Sequence, residues 1–420
     1  MSGLMLLPVF LVMTFFRQNV ILTLAVLIGL IHIFIARNSS VEYLIQDLWF
    51  TLDRELFLSI PMFIFAGVIM SSGSISARLV RLMRAITSPI PGGLAIATIL
   101  AMAIFSSISG SAIVTMMAVG TLMYPALVKS GYGVKFSLGL LCSGGTLGVI
   151  IPPSILMILY GLSTDVSVTK MFMAGWGPGL LMVGTLCIYA FVRNRHVETT
   201  PIDPKEVWEA LKSGITALLM PVILMGGIYS GIFTVTEAAA VSLLYALIVE
   251  VVLFRNLGLR QVFDLGLDTV KLLGSLMPLV AFAGSLNVIL QYEGVPQALV
   301  AWTQATFTQD WQMLVMVNLL LLGAGALMDE SSAIIILAPL LAPLGAAYGY
   351  DPIHFAVMVI VNLQIGYVMP PVALSVIVAT SVFKQSFLTV SRAVLPFIGL
   401  MLIVLLITIL VPELSLTFVR

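Results

Sequence analysis

Apolar runs separated by short polar segments dominate the chain. A helix needs about 20 apolar residues to cross roughly 30 Å of bilayer hydrocarbon, and most of the runs approach that length. The pattern therefore predicts an all-α, polytopic membrane protein. The segments Arg37–Glu55 and Val295–Thr308 are predicted to lie along the membrane surface. The predicted crossings are Leu4–Phe16, Val20–Ala36, Leu56–Met70, Phe136–Gly161, Met171–Val192, Ile215–Phe233, Ala238–Leu253, Lys271–Leu290, Phe355–Phe383 and Val390–Val411.

Two neighbouring apolar stretches are interrupted by polar or helix-breaking residues. The Ser/Gly cluster Ser106–Ser111 divides Gly92–Val128 into two arms, each of about 15 residues and too short to cross alone. We therefore predict a re-entrant hairpin there. The next span, Phe136–Gly161, is broken at a Gly-Gly-Thr run and at Pro152-Pro153. Backbone groups freed by such breaks are tolerated in a bilayer only where they are buried in protein or line a cavity.

The same features recur in the second half of the chain, where Pro370 follows Pro152 by 218 residues. A second hairpin is predicted over Trp311–Leu344, with its tip near Asp329–Ser332. A second broken span is predicted over Phe355–Phe383. A duplicated hairpin followed by a duplicated break indicates an internal repeat, and paired broken helices are typical of a midplane binding site in a secondary transporter.

The distribution of Lys and Arg predicts the orientation of the repeats. With Arg17 on the inner side and five crossings per repeat, 15 of the 19 Lys and Arg residues fall on that side. The odd number of crossings inverts the second repeat and brings the two hairpin tips together. The hairpins and broken spans would then form the transport domain of an elevator-type transporter, and the remaining long helices its scaffold. The predicted units are a first repeat over 1–192 with hairpin one (92–128) and a broken helix (136–161), a cytoplasmic amphipathic linker over 193–213, and a second repeat over 214–420 with hairpin two (311–344) and a broken helix (355–383).

Composition narrows the possible function classes. The chain is 60% hydrophobic and only 9% charged, and its 19 basic residues are balanced by 19 acidic ones. This balance gives no support for nucleic-acid binding. Cys142 and Cys187 lie within apolar spans and are predicted to serve packing. The chain shows no spaced metal ligands, no nucleophile–base pair and no phosphate-binding loop, which argues against a metalloenzyme, an intramembrane enzyme and a primary pump.

Several polar residues have a structural interpretation beside a functional one. Asp329 is expected either to cap the second arm of hairpin two or to contact substrate or cation. Asn362 is interpreted either as a packing residue or as a ligand contact, and the sequence favours neither. Glu237, three residues after Thr234, indicates a capping box, and Asp203 before a proline indicates a helix start. Three further groups are predicted to be structural or solvated, namely His32, His354 and the row Arg78, Arg81 and Arg84.

Four runs together resemble the large membrane subunit of tripartite ATP-independent periplasmic (TRAP) transporters of bacteria and archaea. They are S-G-G-T-L-G-V-I-I-P-P-S-I from Ser143, F-T-V-T-E-A-A-A-V from Phe233, G-A-L-M-D-E-S-S-A from Gly325 and V-N-L-Q-I-G-Y-V-M-P-P-V from Val361. The resemblance covers nearly the whole chain. It implies a sodium-coupled, elevator-type importer of a small organic acid, a carboxylate or a sialic-acid-like compound, in the inner membrane. It also implies two partners, a small four-helix membrane subunit and a periplasmic substrate-binding protein, and no organic cofactor.

The resemblance also implies site residues. A first Na⁺ site would use Ser106, Ser109, Gly148, Ile151 and Pro153, a second Gly325, Gly366, Met369 and Val372, and substrate binding Ser111, Asp329, Ser331, Ser332 and Asn362. Many members of the family carry Thr where Met369 stands and Pro where Ser332 stands, which puts the second site in doubt. Close helix packing through small residues is the structural alternative. The alternative function is a binding-protein-independent divalent-anion/Na⁺ symporter of related architecture, and two capped hairpins argue against a channel.

Overall fold

The structure is a computed structural model that describes residues 20–34 and 41–419. These ranges are helical, and no strand occurs within them. The predicted first crossing, Leu4–Phe16, lies outside them. Nine of the described helices are long and apolar enough to cross a membrane, or ten if one bent pair counts as a span. The helices are α1 Val20–Phe34, α2 Val41–Leu52, α3 Ser59–Ser72, α4 Ile75–Thr87, α5 Gly93–Ser109, α6 Ala112–Lys129, α7 Val134–Gly145, α8 Leu147–Ile150, α9 Ile155–Thr164, α10 Val168–Arg193, α11 Pro204–Tyr229, α12 Val235–Leu247, α13 Leu259–Tyr292, α14 Val295–Thr306, α15 Asp310–Leu327, α16 Glu330–Ala347, α17 Pro352–Val368, α18 Leu374–Phe383, α19 Phe387–Leu410 and α20 Glu413–Leu416. A 3₁₀ turn, Glu55–Leu58, precedes α3, and a π-helical turn, Ile248–Leu253, follows α12.

Two helix pairs occupy the positions of the predicted hairpins, and each predicted broken span is divided into separate helices around its Pro-Pro pair. Three of the four hairpin arms, α6, α15 and α16, are themselves long and apolar enough to cross a membrane, so the re-entrant path stays a prediction. In hairpin one, α5 ends at Gly110, whose φ of 60° turns the chain into α6. In broken span one, the chain bends by 43° between the helical segments before and after the Pro-Pro pair. Hairpin two consists of α15 and α16, and broken span two of α17 and α18. The elements therefore follow the same order in both halves, as the repeat predicts, while the inverted orientation stays a prediction.

The two repeats interlock through their broken spans. The second arm of broken span one, α9, packs on α16 of hairpin two, and the second arm of broken span two, α18, packs on α6 of hairpin one. Across the latter contact, the ring centroids of Tyr124 and Phe383 are 4.9 Å apart. This reciprocal packing binds hairpins and broken spans into one body. We name that body the hairpin core.

The long helices α10 and α19 differ from the prediction that all remaining long helices form a scaffold. α10 packs on α5, α8 and α17, and α19 packs on α7 and α17. The close contact between α7 and α19 requires glycine, because a β-carbon added at Gly139 in α7 would lie 2.3 Å from the Ala393 carbonyl oxygen of α19. Both helices therefore belong with the hairpin core.

A second group of helices forms the predicted scaffold. α3 packs on α12, α4 on α11, and α13 on α1, α2 and α3. The scaffold meets the hairpin core where α3 and α4 pack on α5. At that boundary a β-carbon added at Gly67 would lie 3.0 Å from the Cα of Ser109, so α3 runs directly against the tip of hairpin one.

Two scaffold helices extend beyond their predicted crossings. α11 starts at Pro204, within the predicted linker, and α13 starts at Leu259, well before the predicted Lys271. Apolar runs alone predict the membrane-buried part of a helix, but a capped helix continues into water. Asp203 caps α11 by accepting from the Lys205 amide at 2.9 Å, as predicted. The Thr234–Glu237 capping box that starts α12 is also confirmed.

The row of arginines on α4 is not simply a solvated face. Arg81 pairs with Glu206 of α11 through two hydrogen bonds of 2.7 and 2.8 Å. The Arg78 guanidinium is partly buried and stacks 3.7 Å above the Phe254 ring, whereas Arg81 and Arg84 are exposed, as predicted. Sequence spacing identified the shared face but not the partner helix that covers it.

The remaining structural predictions concern sulfur and histidine residues. Cys142 is buried and Cys187 is partly buried, which confirms a packing role for both. His354 is buried, with Nδ1 3.4 Å from the Ser415 hydroxyl, consistent with the predicted structural role. The side chain of His32 lies outside the described part of the structure.

Glu250, which sequence analysis did not single out, links the π-helical turn after α12 to the elbow between α3 and α4. Its side chain is fully buried, and Oε1 accepts from the Ser74 and Ile75 amides at 2.9 and 3.1 Å. Oε2 accepts from the Asn256 amide group at 3.1 Å. Gly73 leaves room for the carboxylate, since a β-carbon there would lie 2.1 Å from it.

We expect Glu250→Ala to destabilise the scaffold. The substitution leaves the buried Ile75 amide and the partly buried Ser74 amide without an acceptor, and the buried amide alone costs about 1–3 kcal/mol. Thermal unfolding in detergent should show a clearly lower midpoint for this variant. Glu209→Ala is the control, because Glu209 is exposed and makes only a 3.4 Å contact with Arg81. Equal midpoints for the two variants would contradict this role for Glu250.

Candidate functional site

The tip of hairpin one brings several oxygen atoms together against broken span one. The Ser109 hydroxyl lies 2.7 Å from the Thr115 hydroxyl and 3.3 Å from the Ser111 carbonyl oxygen. A β-carbon added at Gly148 would lie 2.6 Å from that carbonyl and 3.0 Å from the Thr115 hydroxyl oxygen. We call the non-helical interruptions of the two broken spans break one and break two. Because Gly148 has no side chain, the chain at break one can approach this oxygen cluster closely. The predicted residues Ser109 and Gly148 therefore lie at one site.

Pro153 lies against the same hairpin tip, at Gly110. A β-carbon added at Gly110 would lie 3.0 Å from the Pro153 carbonyl oxygen, and the Gly110 carbonyl accepts from the Ile155 amide at 3.2 Å. The hydrogen bond between Ile155 and Gly110 anchors the hairpin tip to the start of α9. Ser154 caps α9 by accepting from the Met157 amide at 3.4 Å. Backbone carbonyls next to the Pro-Pro pair are thus positioned by direct contact with the hairpin.

Two other predicted members of this site, Ser106 and Ile151, have different surroundings. Ser106 is fully buried, and its hydroxyl donates 2.6 Å to the Met102 carbonyl of its own helix. Ile151 is buried where α8 ends, and its amide donates to Leu147. The Ser109 hydroxyl, and not that of Ser106, therefore lies in the oxygen cluster.

Thr115 is the residue of this cluster that sequence reasoning missed. It is fully buried and lies in the first turn of α6, four residues after Ser111. Its hydroxyl belongs to the oxygen cluster rather than to a backbone carbonyl one turn earlier, which is the partner of Thr121 on the same helix. A Thr one helical turn beyond the Ser/Gly tip was the available signal.

Break two is built around contact between two glycines. A β-carbon added at Gly366 would lie 2.7 Å from the Cα of Gly325, and one added at Gly325 would lie 3.0 Å from the Cα of Gly366. The Val372 amide donates 3.3 Å to the Ala326 carbonyl, which ties the break to hairpin two. Met369 ends α17 in an extended conformation. Gly325, Gly366 and Val372 therefore meet where hairpin two contacts break two, and Met369 lies within that break.

The tip of hairpin two carries the predicted substrate residues. Asp329 caps α16, where one carboxylate oxygen accepts from the Ser332 amide at 2.9 Å and the other accepts from the Ser332 hydroxyl. The capping alternative for Asp329 is therefore present in the structure. Ser331 follows in the first turn of α16 and is partly buried. In hairpin one, Ser111 offers its carbonyl oxygen to the first site.

Asn362 pairs with a residue that sequence analysis did not single out. Its amide nitrogen donates to the Asn318 side-chain oxygen at 2.7 Å and to the Asn318 carbonyl at 3.1 Å, which joins α17 to α15. Its own side-chain oxygen is buried without a hydrogen-bond partner. The Asn362 side chain thus joins two helices, as the packing interpretation predicts, and its oxygen remains available as an acceptor near break two.

Gln364 is a second polar side chain on α17 that lacks partners. It is fully buried, and neither its amide nitrogen nor its oxygen has a hydrogen bond. A buried amide without hydrogen bonds is costly. Gln364 lies two residues before Gly366 and corresponds, at the repeat spacing of 218 residues, to Thr146 of break one. This places the unsatisfied amide in the helix that leads into break two.

The two breaks lie close to each other. α8, at break one, packs on α17, which leads into break two. The Ser375 hydroxyl near the start of α18 lies 3.9 Å from the sulfur of Met116, the residue after Thr115. Break one and break two therefore lie next to each other inside the hairpin core, as the repeat predicts.

The chemistry of the first site is that of oxygen ligands. Among the described residues, no group of three His, Cys, Asp or Glu side chains could hold a metal ion. Hydroxyl and carbonyl oxygens, which are the groups gathered here, suit hard cations. Unwound backbone at half-helix ends is the usual arrangement for a coupling ion in secondary transporters.

Comparison with known proteins decides the family. The family model described as "Tripartite ATP-independent periplasmic transporter, DctM component" matches residues 7–414. The chain belongs to this family. It is 37% identical over 391 residues to the C4-dicarboxylate TRAP transporter large permease protein DctM of Pseudomonas aeruginosa, with 92% of each chain covered. It is 32% identical over 405 residues to the ectoine TRAP transporter large permease protein TeaC of Halomonas elongata, covering 96% of this chain and 94% of the relative.

The family assignment confirms the resemblance read from the four sequence runs. The chain is the large permease component of a TRAP transporter, a multi-pass protein of the inner membrane, and not an enzyme. Its fold is also similar to the crystal structure of the Alcanivorax borkumensis YdaH transporter, with a TM-score of 0.64, 17% identity and 89% of each chain covered. At that identity the likeness concerns the fold alone.

Proposed function

We propose that this TRAP permease imports a small organic acid together with Na⁺. The observation that carries the proposal is the oxygen cluster of Ser109, Ser111 and Thr115 against Gly148. A cation bound there would receive hydroxyl and carbonyl oxygens without the cost of burying a carboxylate in the membrane. Break two would supply a second site from the carbonyls near Gly366 and Met369. The substrate would bind between the hairpin tips, near Asp329, Ser331 and Asn362.

We further propose that transport moves the hairpin core against the scaffold. The interlocked packing of α9 on α16 and of α18 on α6 supports a body that moves as one unit. A site enclosed within such a body keeps its geometry while its accessibility changes, which is the requirement of an elevator mechanism. The small membrane subunit would be held by the scaffold, and the periplasmic binding protein would deliver the substrate. The family assignment favours this tripartite system over a symporter without a binding protein.

A C4-dicarboxylate is the first substrate to assay, because the P. aeruginosa relative is named for it. The relative from H. elongata is named for ectoine, so substrate differs among permeases of similar length. In this proposal the periplasmic binding protein largely determines which substrate is transported.

Replacing external Na⁺ with choline should abolish uptake by liposomes that contain the permease, the small subunit and the loaded binding protein. Each positive charge that moves inward gains about 2.3 kcal/mol per 100 mV, so an inside-negative potential should accelerate uptake if more cation than anion charge enters. Choline provides the same ionic strength but is too large for an oxygen site. Equal uptake in choline and Na⁺ would contradict sodium coupling, while the family assignment would stand.

A further inference from the structure

The end of α9 is held by donors that belong to the scaffold. Nη1 of Arg54, between α2 and α3, lies 2.9 Å from the Leu162 carbonyl oxygen and 2.9 Å from the Asp165 carboxylate. The Asn287 amide of α13 donates 3.2 Å to the Ser163 carbonyl. Leu162 and Ser163 lie in the last turn of α9, the second arm of broken span one. Two scaffold side chains therefore reach across the boundary to one end of the hairpin core.

These contacts suit the chemistry of a helix C-terminus. The last carbonyls of a helix lack partners within it, and a positive charge there is favourable. Asp165, which follows α9 with a φ of 57°, adds an ion pair to the same guanidinium. Arg54 can therefore stabilise this position in two ways, by satisfying an orphan carbonyl and by neutralising a carboxylate.

The same contacts are exposed enough to break. The side chains of Arg54 and Asp165 are 47% and 82% exposed, and an ion pair in such surroundings contributes about 0–1 kcal/mol. A cavity of about 500 Å³ adjoins them, lined by hairpin-core residues such as Ser167 and scaffold residues such as Thr236. Water can replace the lost partners when the two bodies separate.

The corresponding end of the second repeat has no such contact. Lys384 follows α18, the second arm of broken span two, with a φ of 53°, so it occupies the place that Asp165 takes in repeat one. It carries the opposite charge and forms no ion pair with any residue that the structure describes. Among the described residues, the one ion pair between the hairpin core and the scaffold is therefore that of Arg54 with Asp165.

We propose that Arg54, Asp165 and Asn287 form a polar clasp that sets the population of the observed conformation. The clasp is closed while the end of α9 lies beside the elbow between α2 and α3, and it opens when the hairpin core moves. A weak clasp shifts this equilibrium without trapping either state. This inference rests on the proposed function, because it requires that the two bodies move relative to each other.

Crosslinking between the two bodies tests the clasp directly. Val288 of α13 and Ile335 of α16 line one small cavity beside Arg54, so Val288→Cys with Ile335→Cys reports the observed conformation. The reporter is placed in a Cys142→Ala, Cys187→Ala permease reconstituted with its small subunit. Arg54→Ala should lower the yield with a short bifunctional reagent by about fivefold, and Asp165→Asn and Asn287→Ala by about twofold each. Adding Asp165→Asn to Arg54→Ala should have no further effect, because the pair is already lost.

Lys384→Asn is the matched control and should leave the yield unchanged. High choline chloride should lower the yield for the native pair, since salt screens exposed charges, but not for Arg54→Ala. This salt comparison keeps the test valid if one variant folds poorly. Unchanged yield in Arg54→Ala and Asp165→Asn, or an equal decrease in Lys384→Asn, would overturn the clasp. The proposed function fails separately, through uptake that does not require Na⁺.

Discussion

Thr115→Val should raise the Na⁺ concentration needed for half-maximal uptake by about tenfold or more. Valine keeps the branched shape of the side chain but removes the oxygen that lies 2.7 Å from the Ser109 hydroxyl. A polar partner of a charged group is worth about 1.5–3 kcal/mol, and 1.4 kcal/mol corresponds to a factor of ten in affinity. Ser109→Ala should shift the Na⁺ dependence in the same direction, because it removes the other hydroxyl of the cluster.

Thr121→Val is the control on the same helix. The Thr121 hydroxyl is exposed and donates only to the Met117 carbonyl, so its loss should leave Na⁺ dependence unchanged. A second measurement separates binding from transport, since a bound ion raises the unfolding midpoint, and at a given Na⁺ concentration it does so more strongly the tighter it binds. At the same Na⁺ concentration, Na⁺ should stabilise the Thr121→Val protein in detergent more than Thr115→Val. Equal stabilisation of both would show that the Thr115 hydroxyl is not a ligand.

The breaks were predictable because their physical cause is local. Proline removes an amide donor and collides with the preceding turn, so Pro152-Pro153 and Pro370-Pro371 interrupt helices wherever they occur in an apolar span. Gly110 in the left-handed region gives the hairpin its turn, and the Ser/Gly cluster marks that turn in the sequence. The repeat spacing then pairs the two breaks without knowledge of the fold.

Helix lengths and domain membership were less predictable because they depend on partners. Hydropathy predicts that a helix ends where charged residues begin. The helix α11 nevertheless includes Glu206, whose carboxylate is paired with Arg81 of α4. The helices α10 and α19 resemble scaffold crossings by hydropathy, but they pack on the hairpin core, and small residues such as Gly139 of α7, opposite Ala393 of α19, allow that contact. Contacts between distant segments decide both outcomes.

The candidate site was predictable in its backbone and less so in its side chains. Gly148 and Gly366 mark the breaks directly. Thr115 lies in an apolar helix, where Thr ordinarily bonds to its own backbone, so only the fold shows that its hydroxyl faces Ser109. The partner of Asn362 is Asn318, on another helix, and no periodicity connects the two. Tertiary packing therefore selects which polar residues belong to the site.

Gly366→Ala should reduce uptake at least tenfold, because it forces α15 and α17 apart at break two. The added β-carbon would lie 2.7 Å from the Gly325 Cα and 3.0 Å from its carbonyl carbon, and backbone atoms cannot yield as a flexible side chain can. Overpacking of this kind costs about 1–3 kcal/mol, and the displaced backbone would carry Met369 and the carbonyls of the proposed second Na⁺ site with it.

The matched control for this change is Gly323→Ala on α15. A β-carbon there meets nothing within 4 Å, and alanine is the better helix former, so folding and uptake should be retained. Membrane insertion and the unfolding midpoint of both variants show whether the loss is local. If Gly366→Ala inserts, unfolds and transports as Gly323→Ala does, α15 and α17 can separate without consequence. The second site would then not depend on their contact, and the single oxygen cluster at hairpin one would have to account for all of the Na⁺ coupling.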